Sequence, residues 1–276
     1  LGVPRLELFF GQVLDLERQR VIQVLDRTTD VLPVLYGPAV VRNTSEGDAL
    51  FVRGVSTVND QANLHRVDPR TGRGRSVAYM DSTTDDFVLD GEGEVIALSR
   101  YDERTGRWSL RLPEGRGHRE VWTVDAPVDT PSFHGMGRTP RTIVISADRP
   151  DLASGDDGAA EADRVFEVNV DTAEWTRLPF GHDPDFLMHH PRTRLLIGGA
   201  RDEEAGVRYE FLDAQAARRW QSVERAFSGK APQLMSWNDA LSQVVVFTDT
   251  GEAGQYHLVD FERRTADIVA DAYPAI

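Results

Sequence analysis

Apolar residues along this chain come in short bursts that repeat at a near-constant step. An apolar run at residues 49–54 returns at 94–101, 142–147, 194–200 and 243–249, so the starts are 45, 48, 52 and 49 residues apart. After each run come two stretches of alternating apolar and polar residues joined by a polar or Pro/Gly turn, at 63–79, 108–124, 164–178, 208–223 and 255–269. Alternation of that kind, interrupted once by a turn, predicts an antiparallel hairpin with one buried face. A further short apolar stretch precedes each run, at 38–42, 86–89, 132–135, 185–188 and 232–236. Tight turns at 43–48, 90–93, 136–141, 190–193 and 238–241 link it to the run.

Each repeat therefore holds four strands, and a repeat of roughly 40–50 residues built only of short strands marks a β-propeller blade. The expected fold is all-β: a propeller of four-stranded antiparallel blades occupying residues 1–276 as one domain. Five blades are expected, at about 34–80, 84–125, 129–180, 183–228 and 231–270. The pattern at 7–24 reads as one unpartnered hairpin, the outer half of a sixth blade. Half a blade leaves strand edges unpaired, which proteins avoid. Because the chain also begins at Leu1, the expectation is a piece of a longer protein trimmed at its N-terminus. The rival is a ring closed by pairing this hairpin with strands elsewhere in the chain.

Composition narrows the partners. Forty-five acidic residues against 31 basic ones give a net charge of −14, which disfavours a phosphate-backbone partner, since nucleic-acid binding needs a basic face. Lys230 is the only lysine and there is no cysteine, so disulfides, zinc–thiolate sites and thiol nucleophiles are excluded together. No apolar run approaches the roughly 20 residues of a membrane-spanning helix. Cytoplasm and periplasm fit this composition equally well.

Catalytic motifs are missing. There is no G-x-S-x-G elbow, no phosphate-cradling G-x-x-x-x-G-K-[ST] and no H-E-x-x-H, and few stretches read as helical. By itself the chain is expected to hydrolyse nothing, to use no cofactor and to carry no catalytic residue. Three clusters remain. Residues 181–191 gather His182, Asp183, Asp185, His189 and His190, which are ligand types a metal accepts. Successive strand residues face opposite ways, however, so His189 and His190 do not readily serve one ion, and a structural turn is the simpler reading. Residues 148–163 form an acidic loop without the alternate oxygen spacing of a calcium site; it reads as a solvated insertion or a contact arm. Of the five tryptophans, Trp108, Trp122, Trp175 and Trp220 recur in the outer hairpins and read as packing. Trp237 lies at an inner turn instead, where a propeller can meet a ligand.

The C-terminal repeat carries a resemblance. Gly254-Gln255-Tyr256 runs into Leu258-Val259-Asp260, and an Ala272-Tyr273-Pro274 exit follows. This resembles the last propeller blade of bacterial prolyl-oligopeptidase-family serine peptidases, a group that includes the lasso-peptide isopeptidases. The resemblance is specific only over these last residues. It implies a C-terminal α/β-hydrolase domain as partner, bearing the catalytic triad, with the propeller capping its site and screening a peptide substrate. Tyr273 and Pro274 would then form the hinge between domains, and Trp237 would be a substrate or domain contact. No triad residue has a matching position in this chain, which ends at Ile276.

Two readings of function follow: a propeller that gates a serine peptidase or isopeptidase, and a stand-alone propeller that binds a protein or small ligand. A propeller enzyme such as a lactonase or glycosidase would need central metal ligands or paired carboxylates, which the sequence does not single out.

Overall fold

The computed structural model describes residues 9–59, 61–152, 164–249 and 254–272. Two compact units emerge, one of residues 1–135 with 169–174, the other of 136–168 with 175–276.

The first unit opens with a hairpin, β1 (Gln12–Asp15) and β2 (Arg20–Gln23), then β3 (Val31–Leu35). β4 (Val40–Thr44), β5 (Gly47–Ser56), β6 (Ala62–Val67) and β7 (Gly74–Ala78) form the first blade, an antiparallel meander. β8 (Thr84–Leu89), β9 (Val95–Asp102), β10 (Arg107–Glu114) and β11 (Gly117–Asp125) form the second in the same order. Phe51, Leu64, Met80, Leu89 and Leu98 bury their side chains together between these two sheets, each removal from water stabilising by about 1.5–3 kcal/mol.

The third blade is β12 (Ser132–Met136), β13 (Thr142–Ala147), β14 (Arg164–Asn169) and β15 (Trp175–Arg177), lying mostly in the second unit. There follow β16 (Phe186–His189), β17 (Leu196–Glu203) and β18 (Gly206–Phe211), then the helix α1 (Ala214–Ala226). β19 (Gln233–Trp237), β20 (Gln243–Asp249), β21 (Gly254–Asp260) and β22 (Thr265–Asp271) complete the last blade. Successive up-and-down antiparallel sheets of this kind are the blades of an all-β, propeller-type fold.

Two expectations are corrected. The fourth repeat has three strands, not four: residues 208–223 do not form a hairpin, because the chain after β18 turns into α1. Asp213 caps this helix, its side chain accepting from the N–H groups of Gln215 and Ala216 at 2.9 and 2.7 Å. Ala216, Trp220 and Val223 recur at helical spacing and bury against Val244, Val246 and Val259 of the last blade. An apolar stripe at positions i, i+4 and i+7 on a capped, alanine-rich segment outweighs the weak alternation. The first hairpin, in turn, is not unpartnered. Phe9 exchanges backbone hydrogen bonds with Leu35 at 3.0 and 2.7 Å, and the Leu25 N–H donates to Gly72 O at 2.8 Å. Val24 and Leu25 are buried with Leu35, Val52 and Val67. β3 has no counterpart in the other repeats and pairs with the far end of β5.

One turn recurs. A polar residue accepts backbone N–H groups two or three positions on, and the residue four positions on takes a left-handed conformation. The pairs are Asp15 with Gln19, Asp68 with Gly72, Asp102 with Gly106, Asn169 with Ala173 and Asp260 with Arg264. The side chain replaces a backbone partner, which is why Asp and Asn favour the first position. Glycine is required at the last position only for Gly72, where a Cβ would run into the backbone oxygen of Gln23. Gln19, Ala173 and Arg264 accept the cost of the left-handed region, of order 1 kcal/mol.

Candidate functional site: an apolar groove between β16 and β19

Within the second unit, an open groove of about 500 Å³ lies between two inner strands, β16 and β19. Phe186 and Met188, two residues apart on β16, share one face of that strand and line the groove. Leu234, Met235 and Trp237 line it from β19. Phe186 is 58% exposed and Met235 51%, which is unusual for side chains of this size on inner strands. Gly198, facing Met188 across the β16–β17 ladder, leaves no room for a Cβ.

The wall behind β19 is aromatic and rigid. Trp237 meets Phe211 edge-on, 6.2 Å between centroids, and stacks on Phe261 at 6.0 Å. The Tyr209 hydroxyl accepts the Leu234 N–H at 2.9 Å, tying β18 to β19. Burial pushes the Tyr209 phenol above its ordinary value; the Leu234 N–H opposes this and the nearby Asp202 reinforces it. Two donors of groove-lining residues, Trp237 Nε1 and Arg194 Nε, are buried without a hydrogen-bond partner. A buried donor left unmade costs about 1–3 kcal/mol.

The sequence candidates separate. His189 and Trp237 both line this groove. His189 is half-buried, and its Nε2 is 3.2 Å from the Met136 carbonyl oxygen. Asp185 is exposed and accepts the Asp202 N–H at 2.8 Å. His182 is exposed and Asp183 half-buried. No group of three or more metal-binding side chains converges among the described residues. His190 occupies the first position of the recurring turn: its Nδ1 accepts the N–H groups of Arg192 and Thr193, both at 3.2 Å, and Arg194 takes the left-handed position. A neutral imidazole acceptor here does the work of Asp or Asn.

Trp108 is fully buried against Trp122 and Phe133. Trp175 packs on Phe166 and lies under the Arg149 guanidinium, 4.3 Å from it. Trp220 packs too, but from the helix. Tyr273, Pro274 and residues 153–163 of the acidic loop lie outside the described residues. Phe186, Met235 and Arg194 were not singled out by sequence. For Phe186 and Met235 the signal was the apolar inner stretches 185–188 and 232–236; Arg194 had none. Among the described residues, no helix is long and apolar enough to cross a membrane.

No protein-family model matches this chain, and no curated protein matches its sequence. Solved structures similar to it include an uncharacterised protein from Listeria monocytogenes EGD-e, at 8% identity and a TM-score of 0.47, covering 91% of this chain and 68% of that one. A putative TolB from Agrobacterium tumefaciens is similar at 12% identity and a TM-score of 0.45, covering 97% and 90%. An oligogalacturonate lyase from Vibrio parahaemolyticus is similar at 13% and 0.42, covering 98% and 74%. At these identities and scores the likenesses carry nothing about ligand or activity.

Proposed function

We propose that this chain is a non-catalytic binding propeller whose β16–β19 groove takes a short, apolar peptide segment. The observation that carries this reading is the exposure of two large apolar side chains, Phe186 and Met235, in a groove that Leu234 and Trp237 also line. Apolar side chains of a peptide match this surface. Calorimetric titration with a capped Phe-Leu-Phe tripeptide tests it. Saturable binding is expected, weakened about tenfold or more in Trp237→Ala, the scale of an aromatic anchor. Binding that is unchanged in Trp237→Ala argues against this groove. Stoichiometric labelling of the chain by a fluorophosphonate serine probe, lost on replacing a single serine, argues against the non-catalytic part.

A finer reading is that the groove screens peptide substrates for a serine hydrolase domain of the prolyl-oligopeptidase type. It is favoured by the motif Gly254-Gln255-Tyr256 and Leu258-Val259-Asp260 on β21. Sequencing the gene beyond the codon for Ile276 tests it. A downstream G-x-S-x-G followed by Asp and His supports the gating role, and a stop codon leaves a stand-alone binding module.

A further inference from the structure

We propose that a second groove of the same unit, between α1 and the β21–β22 hairpin, binds a small molecule carrying a phosphate group and a flat apolar body. This groove, about 530 Å³, exists because a helix replaces the outer strand of the fourth repeat. Arg218, Arg219 and Ser222 line it from α1, and Asp260, Phe261 and Arg264 from the hairpin. Three guanidiniums against one carboxylate make it locally cationic in a chain whose net charge is −14.

The charges are not equally free. Arg219 Nη1 donates to the carbonyl oxygens of Ala240, at 2.9 Å, and Leu241, and its guanidinium lies 5.5 Å from the Phe261 ring centroid. The Asp260 carboxylate is buried and accepts from the Glu262 and Arg263 N–H groups and from Gln243 Nε2. Arg218 and Arg264 are exposed, and their side chains have neither an ion pair nor a hydrogen bond among the described residues. Other arginines, such as Arg66, Arg138 and Arg201, are paired with a carboxylate.

Two unpaired guanidiniums on separate elements suit a group with three oxygens, which can accept from both forks at once. Arg264 is held in place by the recurring turn, where it takes φ 58°. Its backbone is therefore fixed by hydrogen bonds that do not depend on a ligand. Phe261, Val259 and Ala266 supply an apolar floor for the body of the ligand. A polyanion is disfavoured, because the cationic patch is one groove and not a stripe.

Calorimetric titration with phenyl phosphate, inorganic phosphate and phenol tests the proposal. Phenyl phosphate is expected to bind saturably at one site, inorganic phosphate more weakly, and phenol not at all. Arg218→Gln and Arg264→Gln are each expected to weaken phenyl phosphate about tenfold, the scale of one charge-assisted hydrogen bond. Arg208→Gln, on β18 and outside the groove lining, is expected to leave it unchanged. Unchanged affinity in the Arg218→Gln/Arg264→Gln double variant, absence of saturable binding, or equal affinity for phosphate and phenyl phosphate would each overturn the proposal. Should a variant fail to fold, the unmodified protein still decides. The arginine side-chain N–H resonances of Arg218 and Arg264 either shift saturably with phenyl phosphate, as expected, or stay fixed, which refutes the site.

Discussion

Trp220→Ala is the perturbation that best tests why α1 stands where a strand was expected. Trp220 is 2% exposed, with ring centroids of Tyr209 and Phe211 at 4.5 and 6.2 Å. Truncating such a buried ring costs about 3–5 kcal/mol, a third or more of the net stability of many domains, about 5–15 kcal/mol. A 13-residue helix is marginal alone in water, so losing its anchor should loosen α1 from the last blade. Trp220 Nε1, however, is buried with no partner. Trp220→Phe removes that unmet donor, worth about 1–3 kcal/mol, while keeping most of the apolar contact. It is expected to cost less than about 1.5 kcal/mol, in line with a volume-similar apolar exchange. Asp213→Ala, which deletes only the cap, is expected to cost about 1 kcal/mol. Urea unfolding followed by far-ultraviolet circular dichroism measures all three. If Trp220→Ala costs under about 1 kcal/mol, or the Phe and Ala variants cost the same, the helix is not held by this ring and the reasoning fails.

Other outcomes follow from turns and buried imidazoles. Gly72→Ala is expected to destabilise by about 2 kcal/mol or more, since it adds both left-handed strain and a clash with Gln23 O; Ala173→Gly, at the equivalent position of another turn, is expected to change stability by less than about 1 kcal/mol. Thermal melts that rank these two the other way refute the template. His65 is buried with both ring nitrogens unpartnered, and burial lowers its pKa. Its contribution is complete above the unfolded value near 6.5 and is lost as pH falls below that value, because only the unfolded ring readily takes the proton. His65→Leu should therefore flatten the loss of stability as pH falls below about 6.5 relative to the parent, and parallel curves for the two proteins would contradict the assignment.

Much of this architecture was legible in the sequence because its periods are physical. The five recurring apolar runs fall on strands, from β5 to β20, and their spacing set the repeat, while alternation at period two marked the hairpins after them. The fourth repeat misled because Arg208–Phe211 does alternate, and the segment after it was read with the same period. The signal that separates them is Asp213 followed by apolar residues at 216, 220 and 223. The recurring turn was only half visible: its Asp and Asn positions stand out, but Gln19, Ala173 and Arg264 at the left-handed position do not announce it. His190 was read in an inner turn, at 190–193, and the structure keeps it there; what the sequence did not show is that its ring nitrogen is the turn's acceptor. The groove was legible only through Trp237 and His189. Its other members become neighbours through the pairing of β16 and β19 with their own sheets, which no local pattern encodes.

Methyl resonances of the four methionines give the most direct test of peptide binding at the β16–β19 groove. Met188 and Met235 line it, whereas Met80 and Met136 are buried, at 1% and 2% exposure, and serve as internal references. On titration with capped Phe-Leu-Phe, the Met188 and Met235 methyls are expected to shift saturably with one shared dissociation constant, and Met80 to stay fixed. A capped Glu-Gly-Glu tripeptide should move none of them. Shifts confined to Met80 or Met136, or no saturable shift at Met188 and Met235, would contradict the account.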